Sequence, residues 1–212
     1  MAYDYAALQA DLLVAGKRPD YAGAKVQRFI AEGEVRIREK CEGYPLSTTL
    51  TDANRSGVTS GIYTLPNPTR IVQVRHVIPL SNAGTAPLDA ADETLVAVHG
   101  SDSNVSMYCL RPDGTLVIAG VPGAGVTYSV NYIGLPVELA ITSTNQLLTD
   151  HQLLYLNAAL ISLHRETREP DIAQFCSNEF NDLVANINRK IKKLLGAPRA
   201  TAPYNVSWQS SF

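Results

Sequence analysis

Residues 126–163 read VTYSVNYIGLPVELAITSTNQLLTDHQLLYLNAALISL, and the hydrophobic period changes inside this stretch. From Thr127 to Ile133 the residues are β-formers at strand spacing. After Pro136 the apolar residues return at helical spacing, with Leu153, Leu156, Leu160 and Leu163 as one stripe. Thr149-Asp150-His151-Gln152 has the form of a capping box, with Thr149 as the cap and Gln152 reaching back. The chain therefore passes from sheet to helix here.

Working upstream, the period stays near two from about Leu46. Val72, Val74, His76 and Ile78 alternate with Gln73, Arg75 and Val77. Thr94 to Val98, Ser106 to Leu110 and Thr115 to Ala119 are read as further short strands. Turn signals at residues 81–84, 111–114 and 120–125 separate them. Strands this short and this closely joined favour an antiparallel sheet or small sandwich over a parallel doubly wound sheet.

The ends of the chain are helical. Tyr5, Leu8, Leu12 and Ala15 recur at helical spacing, and Gly16 to Pro19 break that helix. Asp20 can cap a second helix, whose stripe is Val26, Ile30, Gly33, Ile37 and Cys41. Its other faces carry Lys25, Arg28, Glu32, Glu34, Arg36, Arg38, Glu39 and Lys40, a solvated face or a subunit contact. Downstream, Glu169-Pro170 stops one helix and starts another, with Ile172, Cys176, Phe180, Leu183, Ile187, Ile191 and Leu194 as its stripe. The expected fold class is α+β: an antiparallel bundle of about four helices, an inserted antiparallel β domain, and an extended C-terminal arm. The expected boundaries are 1–45 and 141–196 for the bundle, 46–140 for the β domain and 197–212 for the arm.

Composition narrows the function classes. Of 212 residues 45% are hydrophobic and 18% charged, ordinary for a globular protein, and the net charge of −2 lacks the basic bias of a duplex-gripping protein. Cys41, Cys109 and Cys176 form no C-x-x-C pair and read as buried thiols in a reducing compartment. No signal peptide is visible and no apolar run is long enough to span a bilayer, so the reading is of a protein made in a cytoplasm, with no membrane partner.

The residues that could carry chemistry do not assemble into a recognisable motif. His151 and His164 are thirteen residues apart, and His76 and His99 fall on strand-like sequence. The glycine-rich segment 120–125 lacks the Lys-Ser/Thr and the following helix that a phosphate loop needs. Asp89, Asp92 and Glu93 are too closely spaced for a calcium loop and read as an exposed loop. No G-x-S-x-G elbow is present. The expectation is no catalytic residue, no metal site and no cofactor.

Two features remain. The run Arg189, Lys190, Lys192 and Lys193 closes the last helix, where it complements the helix dipole or faces nucleic acid or an acidic partner in an assembly. After Gly196 and Pro198 the chain leaves helical sequence yet keeps Tyr204, Trp208 and Phe212. Aromatics on an extended arm act as anchors in a partner's pockets, or fold back on their own domain.

The ordered series Leu65-Pro66, the apolar strand from Arg70 to Val74, GTLVI at 114–118, VTYSVNYIGLP at 126–136 and QLLTDHQLLYLNAAL at 146–160 resembles the head–tail adaptor (head-completion or connector) proteins of tailed bacteriophages. The resemblance covers roughly two thirds of the chain, counting the last helix. It departs where Asn67-Pro68-Thr69 replaces an acidic and an aromatic residue, and in an extension around Pro87 to Asn104. The resemblance implies a virion protein of the head–tail neck, made in the host bacterial cytoplasm. It implies a ring, commonly twelve-fold, beneath the portal protein. Packaged double-stranded DNA would pass through it without sequence-specific binding, and tail or nozzle proteins would dock on it. The alternatives are a phage-borne hydrolase acting on cell wall or nucleic acid, which should carry a catalytic motif, and a DNA-packaging binding subunit, which should be more basic and carry a helix-turn-helix.

Overall fold

The computed structural model describes residues 3–56, 61–65, 70–80, 86–98, 106–113, 115–120, 125–140 and 143–196. The chain begins with α1 (Tyr5–Ala15) and α2 (Gly23–Lys40). A β region follows: β1 (Tyr44–Leu50), β2 (Ile62–Thr64), β3 (Arg70–Pro79), β4 (Asp89–Ala90), α3 (Glu93–Val98), β5 (Met107–Leu110), β6 (Thr115–Ile118) and β7 (Tyr128–Leu135). It ends with α4 (Gln146–Asp150), α5 (Gln152–Glu166) and α6 (Pro170–Gly196). The fold is α+β, as the change of period predicts.

Strand β7 decides how the two kinds of structure meet. It is the centre of a three-stranded antiparallel sheet in the order β1-β7-β3. Tyr128, Val130 and Tyr132 point to one face, into a core shared with Tyr63, Leu116 and Ile118 of a second sheet. That sheet has the order β2-β6-β5-β4, and the Tyr63 and Tyr128 rings meet edge-on at 5.6 Å between the two. Ile133 and Leu135, on the opposite face of β7, belong instead to the helical core. One strand thus contributes to two cores through the period-two alternation of its side chains.

The helical core is layered on α5, which packs on α2 along one side and on α6 along another, with α1 across α2 and α5. Val26, Ile30, Ile37 and Cys41 of the predicted α2 stripe are buried, and Gly33 lets α2 approach α5. Asp4 caps α1 by accepting the Ala7 amide at 2.9 Å.

Several local expectations are corrected. Residues 94–98 are helical rather than extended, because Asp92 accepts the Leu95 amide at 2.8 Å and caps a helix that the β-branched sequence disguises. The connection through α3 makes β4 parallel to β5, so the second sheet is mixed. The alternation in β3 is broken by register shifts between Ile71 and Gln73 and between Val74 and His76, so Val74 and Val77 are the buried pair. Thr149 lies inside α4 and is not a cap; Asn145 caps that helix by accepting the Leu148 amide at 2.8 Å. The break between α4 and α5 falls at His151, and Leu153 is exposed while Leu154 and Tyr155 are buried. Asp20 caps nothing, since α2 begins three residues later at Gly23. On α6 the buried stripe is Ala173, Cys176, Phe180, Val184, Ile187 and Ile191, leaving Ile172 and Leu194 exposed. Asp89 and Asp92–Glu93 belong to β4 and to the start of α3 rather than to a plain loop.

Candidate functional site

The charges of α2 are largely engaged within the chain. Lys25 and Arg28 both pair with Glu166 at the end of α5, and together they hold its carboxyl below the usual range. Glu32 accepts from Ser162, and Arg36 donates to the carbonyl of Ala158 at 2.9 Å. These residues clamp α2 to α5, which explains a charged helix face better than solvation alone. Glu34 departs from that face altogether: it is buried, accepts the Leu139 amide at 2.8 Å, and has its carboxyl pushed up by burial.

Of the four histidines, His76 lies on β3, and His99 lies outside the described residues. His164 is buried and its Nδ1 meets Glu169 Oε2 at 2.7 Å across the α5–α6 corner, a structural pairing. His151 contacts the edge of Tyr44 at 5.5 Å, and burial followed by the charge of Lys190 pushes its pKa down. Beside it Tyr44 donates to Asp150 at 2.7 Å, tying β1 to α4. Asp89, Asp92 and Glu93 do not converge on a cation: Asp92 caps α3, and Glu93 takes Arg111 at 2.7 Å. The segment 121–124 lies outside the described residues.

The cysteines are buried and free, and burial pushes the Cys41 thiol up to about 11 and raises those of Cys109 and Cys176. A thiol held protonated at neutral pH is a poor nucleophile. Among the described residues no group of three or more His, Cys, Asp or Glu could hold a metal ion. Among them, too, no helix is long and apolar enough to cross a membrane.

The remaining surface is α6, 27 residues and about 40 Å long. Arg189, Lys190, Lys192 and Lys193 are all exposed on it. Arg189, Lys192 and Lys193 line a shallow open depression with Ala185 and Asn188, while the charge of Lys190 acts on His151. Lys192 pairs with Glu42 at 3.1 Å. The carbonyl of Leu194 at the helix end is taken by Arg75, which reaches across from β3. That capping cation was not legible in the sequence, because Arg75 and Leu194 are 119 positions apart. The arm residues Tyr204, Trp208 and Phe212 lie outside the described residues.

No curated protein matches the chain. The model of the SU10 adaptor protein family matches residues 3–206, which spans both cores and all the described elements. With its helical unit joined through β7 to a β-sandwich, and a match over nearly its whole length, the chain belongs to the SU10 adaptor protein family of phage head–tail adaptors.

Proposed function

We propose that this adaptor assembles as a twelve-fold ring beneath the portal protein, extends the DNA channel, and presents a platform to tail or nozzle proteins. The helical unit, residues 1–45 and 141–196, forms the ring wall. Residues 46–140 project from it, and residues 197–212 reach the portal or a neighbouring subunit through Tyr204, Trp208 and Phe212. The role is structural, without catalysis or cofactor, in the virion neck, after synthesis in the host cytoplasm.

The observation that carries this reading is the family match across residues 3–206. Two features are consistent with it. Asp92, His164 and Lys25, three of the polar side chains that stand out in the sequence, are engaged in capping, a helix–helix corner and a helix clamp. Among the described residues, none covers the long outer face of α6.

The test is to mix the full chain with purified portal rings and count copies by native mass spectrometry. Twelve copies per portal ring are expected. No association with portal, together with degradation of cell wall or nucleic acid by the free protein, would overturn the reading.

A further inference from the structure

Helices α2 and α6 flank α5 and run in the same direction. Arg28, Glu32 and Arg36 of α2 meet Glu166, Ser162 and Ala158 of α5 in descending order, so these two helices are antiparallel. Helix α5 then turns back into α6 at the corner held by His164 and Glu169. Lys40 is level with α6 between Asn181 and Asn188, since its Nζ donates to Asn181 and its carbonyl accepts from Asn188. Along helices of equal rise, Arg28 is then level with residues 169–176 and Glu39 with 180–187.

Each helix carries an exposed stripe on the side away from its buried residues. On α2 the stripe is Ala24, Arg28, Ala31, Val35 and Glu39; on α6 it is Asp171, Phe175, Asn178, Asp182, Ala185 and Arg189. Both recur at spacings of three and four, the spacing at which one helix meets another. Charge runs along them in opposite order: Arg28 precedes Glu39 on α2, whereas Asp171 and Asp182 precede Arg189 on α6. Between the charged ends Phe175, 63% exposed, is level with small Ala31, and Val35 is one turn above.

We infer that the outer face of α2 in one copy of this chain packs on the outer face of α6 in the next, parallel and level. Arg28 meets Asp171, and Phe175 seats on Ala31 and Val35. Half-buried Arg38, beside the α2 stripe, is level with Asp182. Glu39 meets Arg189, which lies two residues beyond the level range, about 3 Å, within reach of its own side chain. The two stripes are unlike and lie on different sides of α5, so the contact is heterologous. Stripes that are already level within one chain meet between copies by rotation about an axis along the helices, without axial shift. Such a contact can close into a ring rather than run on as a filament. Reversing one helix sets Arg28 against Arg189 and Glu39 against Asp171, like on like. The contact rests on the ring proposed above and names the surfaces between its copies.

The test uses full-length Glu39→Arg, Arg189→Glu and the double variant, loaded on purified portal rings. Native mass spectrometry reads the copies per portal, and circular dichroism monitors the fold. Each single reversal sets like charges across every contact, and apparent loading affinity should fall about tenfold or more. The double variant should recover it, because each contact regains an opposite pair. A second measurement needs no charge reversal. Ala31→Cys with Asn178→Cys in one chain, oxidised on the portal, should give a ladder of covalent multimers, while the native buried thiols give none.

Single reversals that load like wild type, or a cysteine pair that gives no ladder, would overturn the contact while leaving the ring intact. Loss in Arg189→Glu with Glu39→Arg silent, and dimers from Asn178→Cys alone, would assign α6 to a two-fold pairing instead. Wild-type protein that does not join portal rings would remove both the contact and the ring reading.

Discussion

Glu34 of α2 accepts the backbone N–H of Leu139 at 2.8 Å, and both residues are buried. The bond fixes the strap that leads from β7 into α4, and Arg38 and Glu138 form a second tie beside it. A carboxylate does this at a cost, because desolvation disfavours its charged form and raises its pKa above the ordinary 4.5. Between pH 4.5 and the raised folded value, the folded state therefore holds a proton that the unfolded chain releases. The stabilisation from protonated Glu34 is complete below pH 4.5 and is lost as pH rises through the raised folded value. Glu34→Gln keeps an acceptor for Leu139 without the charge, and should flatten the fall in stability with pH. Glu34→Ala should cost about 1–3 kcal/mol by stranding the amide. Urea unfolding across this pH range checks both; an unchanged slope in Glu34→Gln would sink the argument.

Gly33 sets the separation of α2 from α5. A Cβ there would sit 3.0 Å from the amide nitrogen of Ala159 and 3.1 Å from the carbonyl carbon of Ala158, and backbone cannot swing aside as a side chain can. Gly33→Ala gains helix propensity but must push the helices apart, so a net loss of about 1–3 kcal/mol is expected. Thermal denaturation measures it. A stabilised variant would mean that α2 can shift at little cost.

What the sequence makes legible follows the distance over which each residue acts. The stripe of Val26, Ile30, Ile37 and Cys41 and the strand spacing at Tyr128, Val130 and Tyr132 are local patterns, and they name buried residues correctly. The α3 helix is misread because five β-compatible residues outweigh one capping aspartate, Asp92. In β3 a shift of register moves the buried positions to Val74 and Val77, which no period-two count can anticipate. Glu34 reads as one more surface charge, because its partner Leu139 is 105 positions away. The exposed charges of α6 are visible from sequence, but the pairing of Lys192 with Glu42, 150 positions away, emerges only from the structure.

Arg75 links the two cores at the far end of α6 by donating to the Leu194 carbonyl. A cation at a helix C-terminus contributes about 0.3–1 kcal/mol when exposed. Arg75→Gln should therefore change global stability little, while amide exchange over residues 192–196 accelerates as the last turn frays. Lys192 remains paired with Glu42 and should limit the fraying to that turn. Exchange rates unchanged from wild type would show that the basic run, and not Arg75, holds the helix end.

Deleting residues 207–212 removes Trp208 and Phe212 but leaves Tyr204. Among the described residues, those before Gly196 already form the buried clusters of both cores. Circular dichroism and the melting temperature should therefore be nearly unchanged. Portal association should weaken, because an aromatic anchor at an interface typically contributes about 2 kcal/mol or more, roughly thirtyfold in affinity. Restoring Trp208 alone, in a chain ending at Gln209, should recover part of that loss if the indole is an anchor. Loss of folding on truncation would instead place the arm within its own domain, and the docking proposal for Tyr204, Trp208 and Phe212 would fail.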